Sequence, residues 1–157
     1  MRALTIAPLI ITLVTLAPLV VDDWRHRRVY LWQLGLFAVA QVVFCLLTLG
    51  GAETLGNAAG SLAVLAVLAL CVGLYVRFRF KGKRQAIGWG DLLFVVALTP
   101  YFEARVFVGF LVVSLSLTLA GWAFLRWRRK AAGDIPLVSA VGLCYIALLC
   151  YHLIAGR

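Results

Sequence analysis

The sequence predicts an all-α integral membrane protein, a single bundle of six transmembrane helices that forms one domain over residues 1–157. Three observations support this prediction. Hydrophobic residues make up 64% of the chain and the mean hydropathy is +1.03, whereas soluble domains are about 45–50% apolar. Apolar runs of membrane-spanning length recur along the whole chain. Charged residues, glycine and proline lie mainly between these runs, as they do in helical membrane proteins.

The first apolar run covers Leu4 to Val21 and follows Arg2. A cleaved signal peptide is the alternative for this run, with Ala17 as a candidate small residue near a cleavage site. The charged segment from Asp22 to Arg28 is predicted to form a tight turn. The later runs cover Val29 to Leu49, Leu55 to Val76, Ile87 to Phe102, Val106 to Leu125 and Ile135 to Ala155. The fourth run is the shortest, because about 16 residues give about 24 Å of helix against a hydrocarbon core of about 30 Å.

The distribution of basic residues predicts the orientation of the helices. Twelve of the 15 Lys and Arg residues lie in three alternate gaps, after the first, third and fifth runs. If all six runs span, these gaps share one side, which the positive-inside rule makes cytoplasmic. Both termini then lie outside. The net charge of +9 therefore indicates contact with anionic lipid rather than nucleic-acid binding.

The remaining polar and sulfur-containing residues give little indication of chemistry. The histidines, His26 and His152, have no metal-ligand partner nearby in the sequence, and no metal or cofactor is expected. Glu53 and Glu103 are assigned to outer loops, and Asp134 to the N-cap of the sixth helix. The four cysteines lie inside apolar runs without a CxxC pair and are interpreted as packing residues: Cys45, Cys71, Cys144 and Cys150.

Two carboxylates lie at the ends of apolar runs, each beside a basic cluster. Asp23 follows the first run, and Asp91 opens the fourth within Gly88-Trp89-Gly90-Asp91. In the predicted topology both lie at the cytoplasmic ends of their helices, at about the same depth. Ionisable groups at this depth are costly and usually functional. We therefore expect Asp23 and Asp91, which are 68 positions apart, to face each other in the bundle.

Two carboxylates that share a water molecule can hydrolyse an amide without a nucleophilic side chain. One takes a proton from water while the other gives a proton to the intermediate or the leaving amine. A helix N-terminus favours the anion, so Asp91 is predicted to be the resting base and Asp23, at a C-terminus, the resting acid. Because a coupled pair titrates as a unit, both assignments stay open.

The residues adjacent to these acids carry two further expectations. Gly88 and Gly90 have no Cβ, so the backbone before Asp91 is predicted to turn freely and to let a substrate strand approach. The alternative is an ordinary helix start that is capped by an aspartate. Asp22 competes with Asp23 for the catalytic role, and it is assigned as an accessory residue that could pair with a neighbouring arginine.

At these motifs the chain resembles the type IV prepilin leader peptidases, the GxGD-type aspartic proteases of membranes. That family has an Asp at the end of a helix, a basic stretch, and Ile-Pro-Asn; Asp23 to Val29 matches this spacing and selects Asp23 over Asp22. Gly88-Trp89-Gly90-Asp91 matches the second family motif, and Asp134-Ile135-Pro136-Leu137 resembles the start of the family's last helix. Tyr30-Leu31 replaces Pro-Asn, and Leu93 replaces a Lys that commonly follows the second motif.

The resemblance implies an endopeptidase, with Asp23 and Asp91 as catalytic residues and Gly88 and Gly90 as the motif backbone. Its substrate would be a pilin or pseudopilin precursor whose short basic leader is removed at the cytoplasmic face of the inner membrane. The family cut usually follows a glycine next to the apolar helix of the substrate. The paired CxxC segment of larger members is missing from this sequence, so the chain is interpreted as the short form without methyltransferase activity or a methyl donor.

Two other classes of function compete with the peptidase. A non-catalytic membrane subunit or inactive relative of a pilus or secretion system is favoured by the replaced Pro-Asn and Lys, and opposed by the retained acids. A small transporter would place acids near the bilayer midplane, whereas the predicted topology places both at an interface. The sequence leaves the oligomeric state open.

Overall fold

A computed structural model describes residues 2–26, 28–80, 88–129 and 137–155. These residues form six α-helices and one short 3₁₀ helix, and they contain no β-strand. Each α-helix overlaps one predicted apolar run, in the predicted order. The helices are α1 (Arg2–His26), α2 (Leu31–Thr48), α3 (Gly51–Phe80), α4 (Trp89–Leu98), the 3₁₀ helix (Thr99–Tyr101), α5 (Ala104–Arg129) and α6 (Leu137–Ala155).

Helix α1 extends further than the sequence predicted. The segment Asp22–His26 is helical, so the prediction of a tight charged turn is wrong for these residues. The physical reason is that this segment contains neither glycine nor proline, and polar residues can continue a helix beyond its apolar part. As a result, the side chains of Asp22 and Asp23 project from a regular helix toward different neighbours.

Four helical segments are long and apolar enough to cross a membrane: Ala7–His26, Leu31–Thr48, Gly51–Phe78 and Ala104–Phe124. Two shorter apolar segments, Trp89–Tyr101 and Leu137–Tyr151, accompany them. The ten residues of α4 rise only about 15 Å, roughly half the thickness of the hydrocarbon core. The protein is therefore a helical, membrane-associated bundle, while the crossing of the bilayer by all six helices and its orientation stay predictions.

Helix α4 lies inside the bundle, between α2 and α6. Its residues Phe94 and Leu98 are fully buried, and the ring of Phe94 stacks on that of Phe37 from α2 at 5.6 Å. Helix α3, by contrast, is almost entirely exposed along its apolar length. Because an isolated apolar helix is unfavourable in water, the exposed faces of α3 are consistent with contact with lipid.

The helices run in alternating directions. In the first half of α3, the Ser61 hydroxyl donates to the carbonyl of Phe102 at 2.7 Å, and Gly60 lies close to Ala104 at the start of α5. The starts of α3 and α5 therefore share one end of the bundle with the 3₁₀ helix. The ends of α3 and α5 lie at the opposite end, where α1 ends and α4 and α6 begin.

Several sequence-based assignments fall outside the described residues. The residues concerned, which the structure does not describe, are Arg27 and the segments 81–87 and 130–136. The assignment of Asp134 as the N-cap of α6 belongs to them, as do the basic residues Lys81, Lys83, Arg84 and Lys130.

Candidate active site

Asp23 is a buried carboxylate that is held by the start of another helix. Its side chain is 6% exposed, and its Oδ2 accepts hydrogen bonds from the backbone N–H and the hydroxyl of Ser139, both at 2.7 Å. Ser139 is the third residue of α6, and the first amides of a helix have no intrahelical acceptor. Asp23 therefore accepts a hydrogen bond from one of these free amides, although Asp23 and Ser139 are 116 positions apart in the sequence.

The Ser139 side chain also ties α6 to the backbone of α1. It is fully buried, and its Oγ lies 2.9 Å from the carbonyl oxygen of Val20. Val20 precedes Asp23 by three positions, so both acceptors lie on the same face of α1. The last turns of α1 and the first turn of α6 are thus joined through a single serine.

Asp91 occupies the first turn of α4, whose N-cap is Gly88. The N–H of Gly88 donates a hydrogen bond to the Asp91 carboxylate. This is the half of a capping box in which an acidic residue at the third helical position reaches back to the N-cap amide. The Asp91 side chain is therefore fixed by its own helix start, whereas Asp23 is fixed by a different helix.

The two motif glycines provide space rather than an unusual backbone. Gly88 has φ −66° and ψ 141°, an extended conformation that any residue adopts, so its observed backbone conformation does not itself require glycine. A Cβ at Gly88 would lie 3.0 Å from Oδ2 of Asp91, and a Cβ at Gly90 would lie 3.3 Å from Cβ of Val29. The first glycine leaves room for the Asp91 carboxylate, and the second lets α4 approach Val29, which precedes α2.

The structure brings the two sequence-predicted acids together. Asp91 lies within electrostatic range of Asp23, although the two residues belong to α4 and α1. Asp91 is half-buried and Asp23 is buried, so water screens their interaction less than it would at an exposed surface. This electrostatic coupling is the condition that a catalytic carboxylate pair must meet, and the catalytic role itself stays a prediction.

Asp22 has a different environment from Asp23. Its Oδ2 accepts a hydrogen bond from Nε2 of Gln33 at 2.8 Å, and its Oδ1 lies 3.7 Å from Nδ1 of His26. Neighbouring residues of a helix point about 100° apart, which directs Asp22 toward α2 and Asp23 toward α6. These contacts give Asp22 a role in packing α1 against α2.

Helix α6, whose Ser139 donates hydrogen bonds to Asp23, adds a second helix dipole to the environment of this carboxylate. The sequence-based assignment of Asp23 as the resting acid considered only the C-terminus of α1, which disfavours an anion. In the structure Asp23 also lies at the N-terminus of α6, which favours one. These two effects oppose each other, so the helix ends do not separate the roles of Asp23 and Asp91.

Sequence reasoning did not identify Ser139, which contacts Asp23, or Gln33, which contacts Asp22. Ser139 follows Ile135-Pro136 closely and lies in an apolar run, where a single serine is unremarkable in a membrane helix. Gln33 is the one polar residue in the first turn of α2, and a buried amide in an apolar helix was a signal that could have been used.

Comparisons of the chain with protein-family models, with curated proteins and with solved structures each found no match. The interpretation of the site therefore rests on its geometry and on the motifs that surround it.

Proposed function

We propose that the protein is an intramembrane aspartic endopeptidase that removes the basic leader from type IV pilin or pseudopilin precursors. One feature carries the proposal: Asp23 and Asp91, which belong to two different helices, lie within electrostatic range of each other at one end of the bundle. Two neighbouring carboxyls that cannot both be ionised without repulsion share a proton. A shared proton provides the acid and the base that hydrolysis of a peptide bond requires.

The chemistry needs only the two carboxyls and a water molecule. The ionised carboxylate takes a proton from water, and the oxygen of that water attacks the carbonyl carbon of the scissile peptide bond. The protonated carboxyl then gives its proton to the leaving nitrogen as the C–N bond breaks. The products are a peptide with a new carboxyl terminus and a helix with a new amino terminus, and the pair again holds one proton.

The arrangement of the bundle suits a substrate that is itself inserted in a membrane. Asp23 and Asp91 lie at the end of the bundle where α3 and α5, which carry clusters of Arg and Lys in and beyond their last turns, also end. In the proposed orientation this end is cytoplasmic, and a precursor with an apolar helix presents its leader at that depth. The basic clusters contact anionic lipid, since they would repel a basic leader.

Cleavage of a tagged reporter precursor tests the proposal. The reporter carries a short Lys- and Arg-containing leader that ends in glycine, an apolar helix of about 20 residues and a C-terminal tag. Co-expression with the protein is expected to shorten the reporter, and sequencing of its new amino terminus locates the cut. Asp23→Asn and Asp91→Asn should each reduce the rate by about 10²- to 10⁴-fold.

Asp22→Asn is the matched control. It changes the neighbouring carboxylate and retains an oxygen that can accept from Gln33, so cleavage should stay within a few-fold of the unsubstituted protein. All variants are compared at equal amounts in the membrane. Equal cleavage by all of them, or cleavage that is lost only with Asp22→Asn, would contradict the proposed pair and support a non-catalytic subunit.

A further inference from the structure

Ser139 contacts a proposed catalytic acid, yet no step of the proposed hydrolysis uses it. Its Oγ lies 2.7 Å from Oδ2 of Asp23 and 2.9 Å from the carbonyl oxygen of Val20. A serine hydroxyl has one hydrogen and two lone pairs. It therefore donates to one of these two oxygens at a time, and its orientation depends on which of them attracts the hydrogen more strongly.

The backbone of Ser139 fixes the same carboxylate oxygen independently of the hydroxyl. Its N–H donates to Oδ2 at 2.7 Å, and this bond is compatible with an ionised or a protonated carboxyl because Oδ2 keeps a lone pair in both forms. Asp23 is thus held by the Ser139 N–H, which can only donate, and by the Ser139 hydroxyl, which can donate or accept.

We propose that Ser139 is a positioning residue whose hydroxyl follows the protonation state of Asp23. While Asp23 is ionised, the hydroxyl donates to Oδ2. While Asp23 holds a proton, the hydroxyl hydrogen turns to the Val20 carbonyl and Oγ accepts the hydrogen of the carboxyl. The proton stays on Asp23, and no covalent bond to Ser139 forms or breaks.

This inference rests on the proposed function, since only an acid that changes its protonation state needs both arrangements. The physical reason is the cost of an unpaired polar group at a buried site. Without the hydroxyl, ionised Asp23 loses a donor and protonated Asp23 loses an acceptor. A carboxyl that has lost this partner can rotate away from the orientation in which it meets water and Asp91.

Three substitutions at Ser139 separate hydrogen bonding from packing in the reporter assay. Ser139→Ala is expected to lower kcat by about 10- to 100-fold with KM unchanged, the loss typical of a hydrogen bond to a charged group. Ser139→Thr retains the hydroxyl and should recover most of kcat. Ser139→Cys has a similar volume but forms only weak hydrogen bonds, so its kcat should stay low.

Ser114→Ala is the matched control, because Ser114 is equally buried and its hydroxyl bonds to the Leu111 carbonyl of its own helix at 3.2 Å. This variant should retain full kcat. A Ser139→Ala protein with full kcat, or a Ser139→Cys protein that recovers like Ser139→Thr, would overturn the inference. Either result leaves the proposed function intact as long as Asp23→Asn and Asp91→Asn remain inactive.

A spectroscopic measurement tests the contact without any cleavage assay. In protein labelled with ¹³C at its aspartate carboxyls, the infrared spectrum minus that of Asp23→Asn isolates the carboxyl stretch of Asp23. The band is expected to shift in Ser139→Ala and to stay in place in Ser114→Ala. An unshifted band in Ser139→Ala overturns the inference. A shifted band also overturns it if the Asp23→Asn variant cleaves the reporter normally, because Asp23 then has no proton to transfer.

Discussion

Gly88 shows that the missing Cβ of a single residue can determine the position of a functional side chain. Its backbone conformation is open to alanine, but the added Cβ would lie 3.0 Å from Oδ2 of Asp91. Because the carboxylate is the flexible partner in this contact, it would move while the helix stays in place. The glycine therefore affects the placement of an acid more than it affects stability.

Gly88→Ala is expected to reduce reporter cleavage by about 10- to 100-fold, the effect of displacing a reacting group by about 1 Å. The thermal unfolding midpoint in detergent should change little. Gly73→Ala is the control, since a Cβ there meets nothing within 4 Å and cleavage should be unaffected. Full activity of Gly88→Ala would show that Asp91 need not occupy its observed position.

At the residue scale, the sequence identified Asp23, Asp91 and their glycines because charge and glycine are conspicuous in an apolar chain. It did not identify Ser139 or Gln33. A hydrogen bond between Asp23 and Ser139 joins residues 116 positions apart, and no local pattern encodes it. The same limit explains why the protonation roles could not be assigned: the dipole that opposes that of α1 belongs to α6, and only the packing places it beside Asp23.

At the element scale, the contact between α1 and α6 depends on Gly142. A Cβ at this position would lie 2.6 Å from Cγ2 of Val20, which is closer than nonbonded carbon atoms approach. Val20 is also the residue whose carbonyl oxygen lies 2.9 Å from Ser139 Oγ. The glycine therefore permits the close helix approach that brings Ser139 to Asp23, as small residues do between membrane helices.

Gly142→Ala is expected to destabilise the protein by about 1–3 kcal/mol, the range for overpacking a core, and to reduce cleavage because it separates Ser139 from Asp23. Adding Val20→Ala removes the clashing methyl group and should restore part of the stability and part of the cleavage rate. The midpoints of thermal unfolding in detergent and the cleavage rates of the two single variants and the double variant provide the measurement. Strictly additive losses would contradict a direct contact between these two positions.

The helices themselves were predictable because a membrane requires continuous apolar segments whose backbone groups are bonded internally. Each of the six predicted runs overlaps one α-helix. The boundaries were less predictable where polar residues continue a helix, as at Asp22–His26, because hydropathy measures burial in lipid rather than helix propensity. The 3₁₀ helix at Thr99–Tyr101, which includes Pro100, was likewise not anticipated as a separate element.

At the scale of the whole molecule, the alternation of helix directions gathers Asp23, Asp91 and the ends of α3 and α5 at one end of the bundle. Asp23 lies in the last turn of α1, Asp91 lies in the first turn of α4, and α3 and α5 end there. Sequence reasoning placed these helix ends together on the assumption that every run spans, and the crossing of the membrane by every run stays a prediction. The shortness of α4 is accommodated by its burial among α2 and α6, since a helix enclosed by protein needs no match to the thickness of the bilayer.

This arrangement predicts the side of the membrane on which each connection lies. In protein whose native cysteines are replaced by alanine, Lys83→Cys should react with a membrane-impermeant maleimide only after the cells are opened. The positive-inside rule retains the gap that contains Lys83 and four other basic residues in the cytoplasm, so the next connection lies outside. Glu103→Cys, in the exposed connection before α5, should therefore react in intact cells. Both variants must cleave the reporter, so that labelling reports on the active form. Labelling of Lys83→Cys from outside would place Asp23 and Asp91 at the external face, where a cytoplasmic leader cannot reach them.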